Sequence, residues 1–212
     1  MPNSHQLKKW TGELGDKYIE RNEFADWKLP AGVKAFNEML NGLDIKTILE
    51  VGSNIGLNLR FIKETLGGNI KNYAIEPNKK AYDILVSNSN NINLEKAWNC
   101  DASNIPLDDS SIDLVFTAGV LIHIAPENLD RAIDEIVRVA RKYVLCIEYF
   151  SHDPVTQKYR GENNLLFKRD FGGYYLDRFP DLKCIKYGFL WQREYKIFDN
   201  LNWWLFTKKE EK

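Results

Sequence analysis

Cysteine is scarce, and what there is does not pair readily. Cys100, Cys146 and Cys184 are odd in number and far apart in a chain of 212 residues. No disulfide framework or thiolate metal cluster is therefore expected, and the cysteines read as reduced and buried. An excess of charge is also missing. A net charge of -1 leaves no basic footprint for nucleic acid. No run approaches the ~20 apolar residues that a membrane-crossing helix needs. The opening "MPNSHQLKKW" lacks the apolar centre of a signal peptide. Repeats and low-complexity stretches are absent, and the mixed-sign ending "KKEEK" reads as a solvated tail. A cytosolic protein without nucleic-acid or membrane partners is expected.

What is present is ordinary and sufficient. At 44% hydrophobic and 28% charged residues, the chain can bury one full core in a single domain. From Ile45 onward strand-like and helix-like runs alternate, which predicts a mostly parallel sheet with helices on both faces. Strands are expected at 46–51, 71–76, 92–98, 112–117 and 143–149. Helices are expected at about 57–66, after Asn78 to about Ser87, and over 126–141. The last carries an apolar stripe of Leu129, Ile133, Ile136, Val137 and Ala140. Two further strands, near 183–190 and 201–207, are too close together for a parallel return, so they predict an antiparallel edge hairpin. The expected organisation is an N-terminal helical lid (1–40), a cofactor-binding core (45–150), a substrate-side connection (151–180) and a C-terminal hairpin (181–207).

The stretch "LEVGSNIGLNL" (49–59) reads as strand, tight turn and helix, with Gly52 and Gly56 bracketing the turn. Small residues there let the backbone approach a ligand closely. A dinucleotide-binding turn would favour another glycine at Asn54, and a pyrophosphate would be repelled by Glu50. Ligands of an open parallel sheet bind beyond the carboxyl ends of its strands. One edge should therefore gather Glu50, Gly52, Ser53, Asn54 and Gly56 with Glu76 and Pro77, Asp101 and Ala102, and Ala118 and Gly119. Glu76 stands where a second-strand acid accepts both hydroxyls of a ribose. Asp101 can receive an adenine amino group. Glu50 favours an ammonium or a sulfonium. Adenosine at one end and a cationic amino acid at the other describe S-adenosylmethionine.

The ordered set "LEVGSNIGLNL", "YAIEPN", "NCDASNIPL" and "IDLVFTAGVLIHI" resembles the motifs of the Rossmann-like S-adenosylmethionine-dependent methyltransferases. That resemblance implies a seven-stranded α/β sheet with an antiparallel C-terminal strand. Ser53-Asn54 departs from the Cys-Gly pair common in that class. A narrower likeness runs through "WTGELGDKYIERN", "PVTQKYRGENNLLFKRDFG", "YGFLWQRE" and "NWWLFTKK". These are similar to methylases associated with pseudaminic acid biosynthesis, which implies a small sugar or sugar-derived acceptor.

The remaining candidates have plainer readings beside the functional ones. His123, in "LIHI", is either a packing residue or a base that takes a proton from the acceptor. Tyr18 and Arg21 share a helix face and either close over the cofactor, with Arg21 on its carboxylate, or tie the N-terminus to the sheet. Trp10 is core or lid. Tyr149, Tyr159, Arg160 and Arg169 fall where acceptor contacts are expected, the arginines as forks for an anionic group. Asp113, Trp203 and Trp204 read as structural. No metal-ligand cluster is seen. The rival readings are a nicotinamide-dependent oxidoreductase, disfavoured by Glu50, and a non-catalytic adenosylmethionine-binding protein.

Overall fold

The computed structural model describes residues 4–208. The chain begins with helices α1 (His5–Trp10), α2 (Glu13–Ile19) and α3 (Leu29–Leu40), then enters strand β1 (Thr47–Val51). There follow α4 (Leu57–Leu66), β2 (Lys71–Ile75), α5 (Lys79–Ser87), the short α6 (Ser89–Ile92), β3 (Leu94–Trp98), β4 (Ile112–Ala118), α7 (Pro126–Val139) and β5 (Ala140–Glu148). The last third holds β6 (Val155–Tyr159), β7 (Glu162–Lys168), α8 (Phe171–Arg178), β8 (Leu182–Leu190), α9 (Gln192–Tyr195) and β9 (Leu201–Lys208).

Seven strands form one sheet in the order β3-β2-β1-β4-β5-β9-β8. The first five pair in parallel, and β9 runs antiparallel between β5 and β8. Winding reverses between β1 and β4, so a crevice opens there at the carboxyl ends. Alternate side chains of the central strands enter different cores. Leu49, Val115 and Val144 pack with Ile133, Ile136 and Tyr175, under α7 and α8. Ile48, Leu114, Phe116 and Leu145 pack with Phe36, Met39, Leu59 and Phe61, under α3 and α4. Burial on both faces is why β4 reads as a continuous apolar run rather than an alternating one.

The helices start where their sequences allow it. Asn78 caps α5 by accepting from the Ala81 N–H. Pro126 opens α7, with Glu127 in the first turn and Arg138 in the last, both favourable to the helix dipole. Asp113, read as structural, takes N–H groups of Lys46 and Thr47 and is bridged by Arg141.

The structure departs from the sequence reading at 151–180. Instead of a polar connection there is a two-stranded antiparallel hairpin, β6–β7, followed by α8. Lys208, expected in a solvated tail, ends β9 with its ammonium on the carbonyls of Val137 and Ala140. The rest of that tail, 209–212, and residues 1–3 lie outside the described residues.

Candidate active site

A cavity of about 450 Å³ lies at the carboxyl ends of the strands, within the range of small-molecule sites. Its floor is the turn after β1. Gly52 and Ser53 donate to the Ile75 carbonyl at 2.9 and 3.1 Å, which ties this turn to the end of β2. Gly52 has a φ of 74°, and a Cβ there would lie 2.7 Å from Val120 Cγ2, so only glycine fits. Asn54 is also left-handed, at 49°, a conformation asparagine tolerates.

The strand-end acids converge as expected, under unusual electrostatics. Glu50 is buried, with Oε1 accepting from Asn58 Nδ2 at 2.7 Å and Oε2 unpartnered. Burial, with a smaller contribution from nearby Glu76, pushes its pKa up to about 8. Glu76 Oε2 accepts the Asn54 N–H at 2.7 Å, and Oε1 accepts the Asn78 N–H at 2.8 Å. Those bonds favour the carboxylate, yet burial outweighs them and holds its pKa at about 7. Asp101 accepts the Ser103 N–H at 2.7 Å beside buried Ala102. Pro77, Ala118 and Gly119 complete this wall.

The opposite wall is aromatic. His123 ends a 3-10 turn, Leu121–His123, and its Nδ1 lies 2.7 Å from the Leu165 carbonyl of β7. Trp10 packs at a tilt against the imidazole with ring centroids 4.3 Å apart, and Tyr159 lies at 5.3 Å. Burial lowers the His123 pKa to about 4, so the ring is neutral at pH 7. Tyr18 packs edge-on against Trp10 at 5.4 Å, and Arg21 also lines the cavity. Tyr149 donates its hydroxyl to Asp199 at 2.6 Å.

Sequence reasoning missed two acids. Glu148, fully buried at the end of β5, accepts N–H groups of Val120 and Leu121 at 3.0 Å each and of Ile122 at 3.4 Å. It thereby holds the turn that carries His123. Its signal was visible: an acid closing an apolar strand, as Glu50 does in β1. Asp199, with Ile197 and Phe198, lines the cavity from the segment before β9, which carries no periodic pattern.

Three of the expected residues are not in the wall. Gly56 is the left-handed N-cap of α4, packed below Leu85 and Ile92. Arg160 sits at the β6–β7 turn with its guanidinium over Tyr159, and Arg169 lies over Tyr174. Among the described residues, no group of three or more His, Cys, Asp or Glu side chains is placed to hold a metal ion. No helix there is long and apolar enough to cross a membrane.

Residues 49–147 match the family model described as a methyltransferase domain. No curated protein matches the sequence significantly. Among solved structures, the fold is similar to an S-adenosylmethionine-dependent methyltransferase from Aquifex aeolicus (19% identity, TM-score 0.65, covering 91% of this chain and 98% of that one). It is also similar to the 1,6-didemethyltoxoflavin-N1-methyltransferase of Burkholderia thailandensis, solved with 1,6-didemethyltoxoflavin and S-adenosylhomocysteine bound (11% identity, TM-score 0.69, 97% and 87% covered). A third is the magnesium protoporphyrin IX methyltransferase of Synechocystis PCC 6803, solved with S-adenosylhomocysteine (12%, 0.69, 96% and 98%). The seven-stranded sheet thus has the fold of these methyltransferases, and residues 49–147 within it match the methyltransferase domain model.

Proposed function

We propose that the protein is an S-adenosylmethionine-dependent methyltransferase acting on a small-molecule acceptor, sugar or sugar-derived. The observation that carries the cofactor is the meeting of Glu50, Glu76 and Asp101 on one cavity wall. The wall fits the ligand: Glu50 Oε2 and Asn54 Oδ1 are buried there without partners, and Gly119 leaves open space beside its backbone. When bound, S-adenosylmethionine supplies an electrophilic methyl group on a sulfonium.

Each residue then has a task. Glu76 accepts from the ribose hydroxyls, Asp101 and Ala102 face the adenine, and Glu50 balances the cationic amino-acid end. Pro77, Ser53, Asn54, Ala118 and Gly119 shape the trough, and Gly52 and Gly56 hold the turn that forms it. Tyr18 and Arg21 close it from α2 and the segment after it, Arg21 on the carboxylate. Tyr149 and Tyr159 contact the acceptor, and His123 takes its proton. Arg160 and Arg169 get no support as acceptor ligands from the cavity wall. Most of the catalysis is positioning, since donor and acceptor must meet without bulk water. The sugar-type acceptor is supported by the resemblance of the N-terminal segment, the 151–180 connection and the C-terminal hairpin to pseudaminic acid-associated methylases.

The test is incubation with methyl-labelled donor and a host metabolite extract, followed by mass spectrometry of separated small molecules and macromolecules. Label in a small hydroxylated metabolite, with S-adenosylhomocysteine formed, is the expected result. Label confined to protein or nucleic acid would overturn the acceptor class. No S-adenosylhomocysteine above a protein-free control would overturn the activity.

A further inference from the structure

The surroundings of His123 fix which atom of the ring meets the ligand. A carbonyl oxygen only accepts hydrogen bonds, so at 2.7 Å from Leu165 O the His123 Nδ1 carries a proton. Burial in apolar and aromatic surroundings keeps the imidazole neutral, with a pKa of about 4. A neutral ring has one N–H, so the other nitrogen, Nε2, bears a lone pair. Among the described residues Nε2 has no partner. Unlike Trp10 Nε1, it is not a sealed, unpartnered atom, and its side chain lines the cavity. Turning the ring to offer Nδ1 instead would break its hydrogen bond to Leu165 and swing it against its aromatic neighbours. Trp10 covers it at 4.3 Å, Tyr159 flanks it at 5.3 Å, and β7 holds its other edge.

We infer that His123 presents a locked acceptor nitrogen to the acceptor subsite, so the methylated group is a hydroxyl or an amine N–H, not a carboxylate, a thioether or a carbon. This rests on the methyltransferase reading and narrows it. The acceptor's oxygen or nitrogen lone pair forms the new bond to the methyl carbon. The carbon–sulfur bond breaks, and its electron pair stays on sulfur, giving S-adenosylhomocysteine. The O–H or N–H proton passes to His123 Nε2, and the imidazolium then releases it to water. A weak base suffices, because the acceptor becomes strongly acidic only as its new bond forms. A carboxylate or a thioether would meet Nε2 lone pair to lone pair, and a carbon centre would bring it no hydrogen-bonding proton.

The first test needs no activity. Ring nitrogens of the protein labelled with ¹⁵N-histidine are observed by NMR at pH 7. Only His5, His123 and His152 contribute, and His123→Gln assigns the signals. A pyrrole-type Nδ1 and a pyridine-type Nε2 are expected for His123. The opposite tautomer, or a doubly protonated ring, would overturn the inference. The second test locates the methyl in the labelled product, where attachment to oxygen or nitrogen is expected. Attachment to carbon, sulfur or a carboxylate would overturn the inference while leaving the methyltransferase reading intact. Turnover by His123→Gln should fall about a hundredfold or more, with S-adenosylhomocysteine affinity unchanged. Loss of that affinity would mark the ring as merely structural.

Discussion

Glu76 and Glu148 are both buried strand-end carboxylates, yet they should respond differently to replacement. Glu76 faces the cavity, so Glu76→Ala should lose about 1.5–3 kcal/mol of charge-assisted hydrogen bonding, tenfold or more in S-adenosylhomocysteine affinity by calorimetry. Unchanged affinity would remove Glu76 from the ribose site. Glu148 accepts from three backbone N–H groups of the turn before α7. Glu148→Ala strands those N–H groups and should destabilise the protein by at least about 2 kcal/mol in urea titration. Glu148→Gln, which keeps one acceptor oxygen, should cost less. Equal stability of both variants and wild type would contradict the anchoring role. Glu50, Glu76 and Asp101 were legible in the sequence because a parallel strand must end at the ligand edge. Asp199 was not, since its place depends on how the segment before β9 folds back.

At the scale of elements, two additions to the sheet line the cavity together. Helix α1 meets the β6–β7 hairpin through Lys9 and Glu162, 2.5 Å apart, and through Gln6 Nε2 donating to Asn164 O. Lys9→Glu turns that attraction into repulsion and should weaken S-adenosylhomocysteine binding by up to about fivefold, an effect that high salt removes. A salt-independent loss would point elsewhere. The seven strands of the sheet were legible from apolar or alternating runs and from their regular spacing with helices. The β6–β7 hairpin was not: β6 is exposed almost throughout and lacks alternation. Its turn depends on left-handed Arg160 and Gly161, a weaker signal than Asn-Gly. The edge pair β8–β9 hides another constraint. Trp203 lies over Gly188, where a Cβ would come within 2.6 Å of the ring. Gly188→Ala should therefore cost about 1–3 kcal/mol in stability by chemical denaturation.

For the whole molecule, the cavity couples folding to pH. Glu50, Glu76 and Glu148 have pKa values raised to about 8, 7 and 7 by burial. In the unfolded chain they ionise near 4.5, so above that the folded state holds more protons than the unfolded one. Their stabilising contribution is complete below pH 4.5 and is lost as pH rises through 7 to 8. His123, lowered to about 4, acts oppositely but only below about 6.5. The ligand-free protein should therefore melt at lower temperature at pH 8.5 than at pH 6.5. Binding a cationic ligand needs the ionised acids, so affinity for S-adenosylmethionine should rise over the same interval. A flat profile in both would contradict the electrostatic reading of the wall.

The cofactor assignment is tested most directly by isothermal titration of the wild-type protein with S-adenosylhomocysteine and, separately, with NAD at the same concentrations. One S-adenosylhomocysteine should bind per chain, with proton release that grows as pH falls from 8 toward 7, and NAD should give no binding heat. Binding of NAD in place of S-adenosylhomocysteine would contradict it.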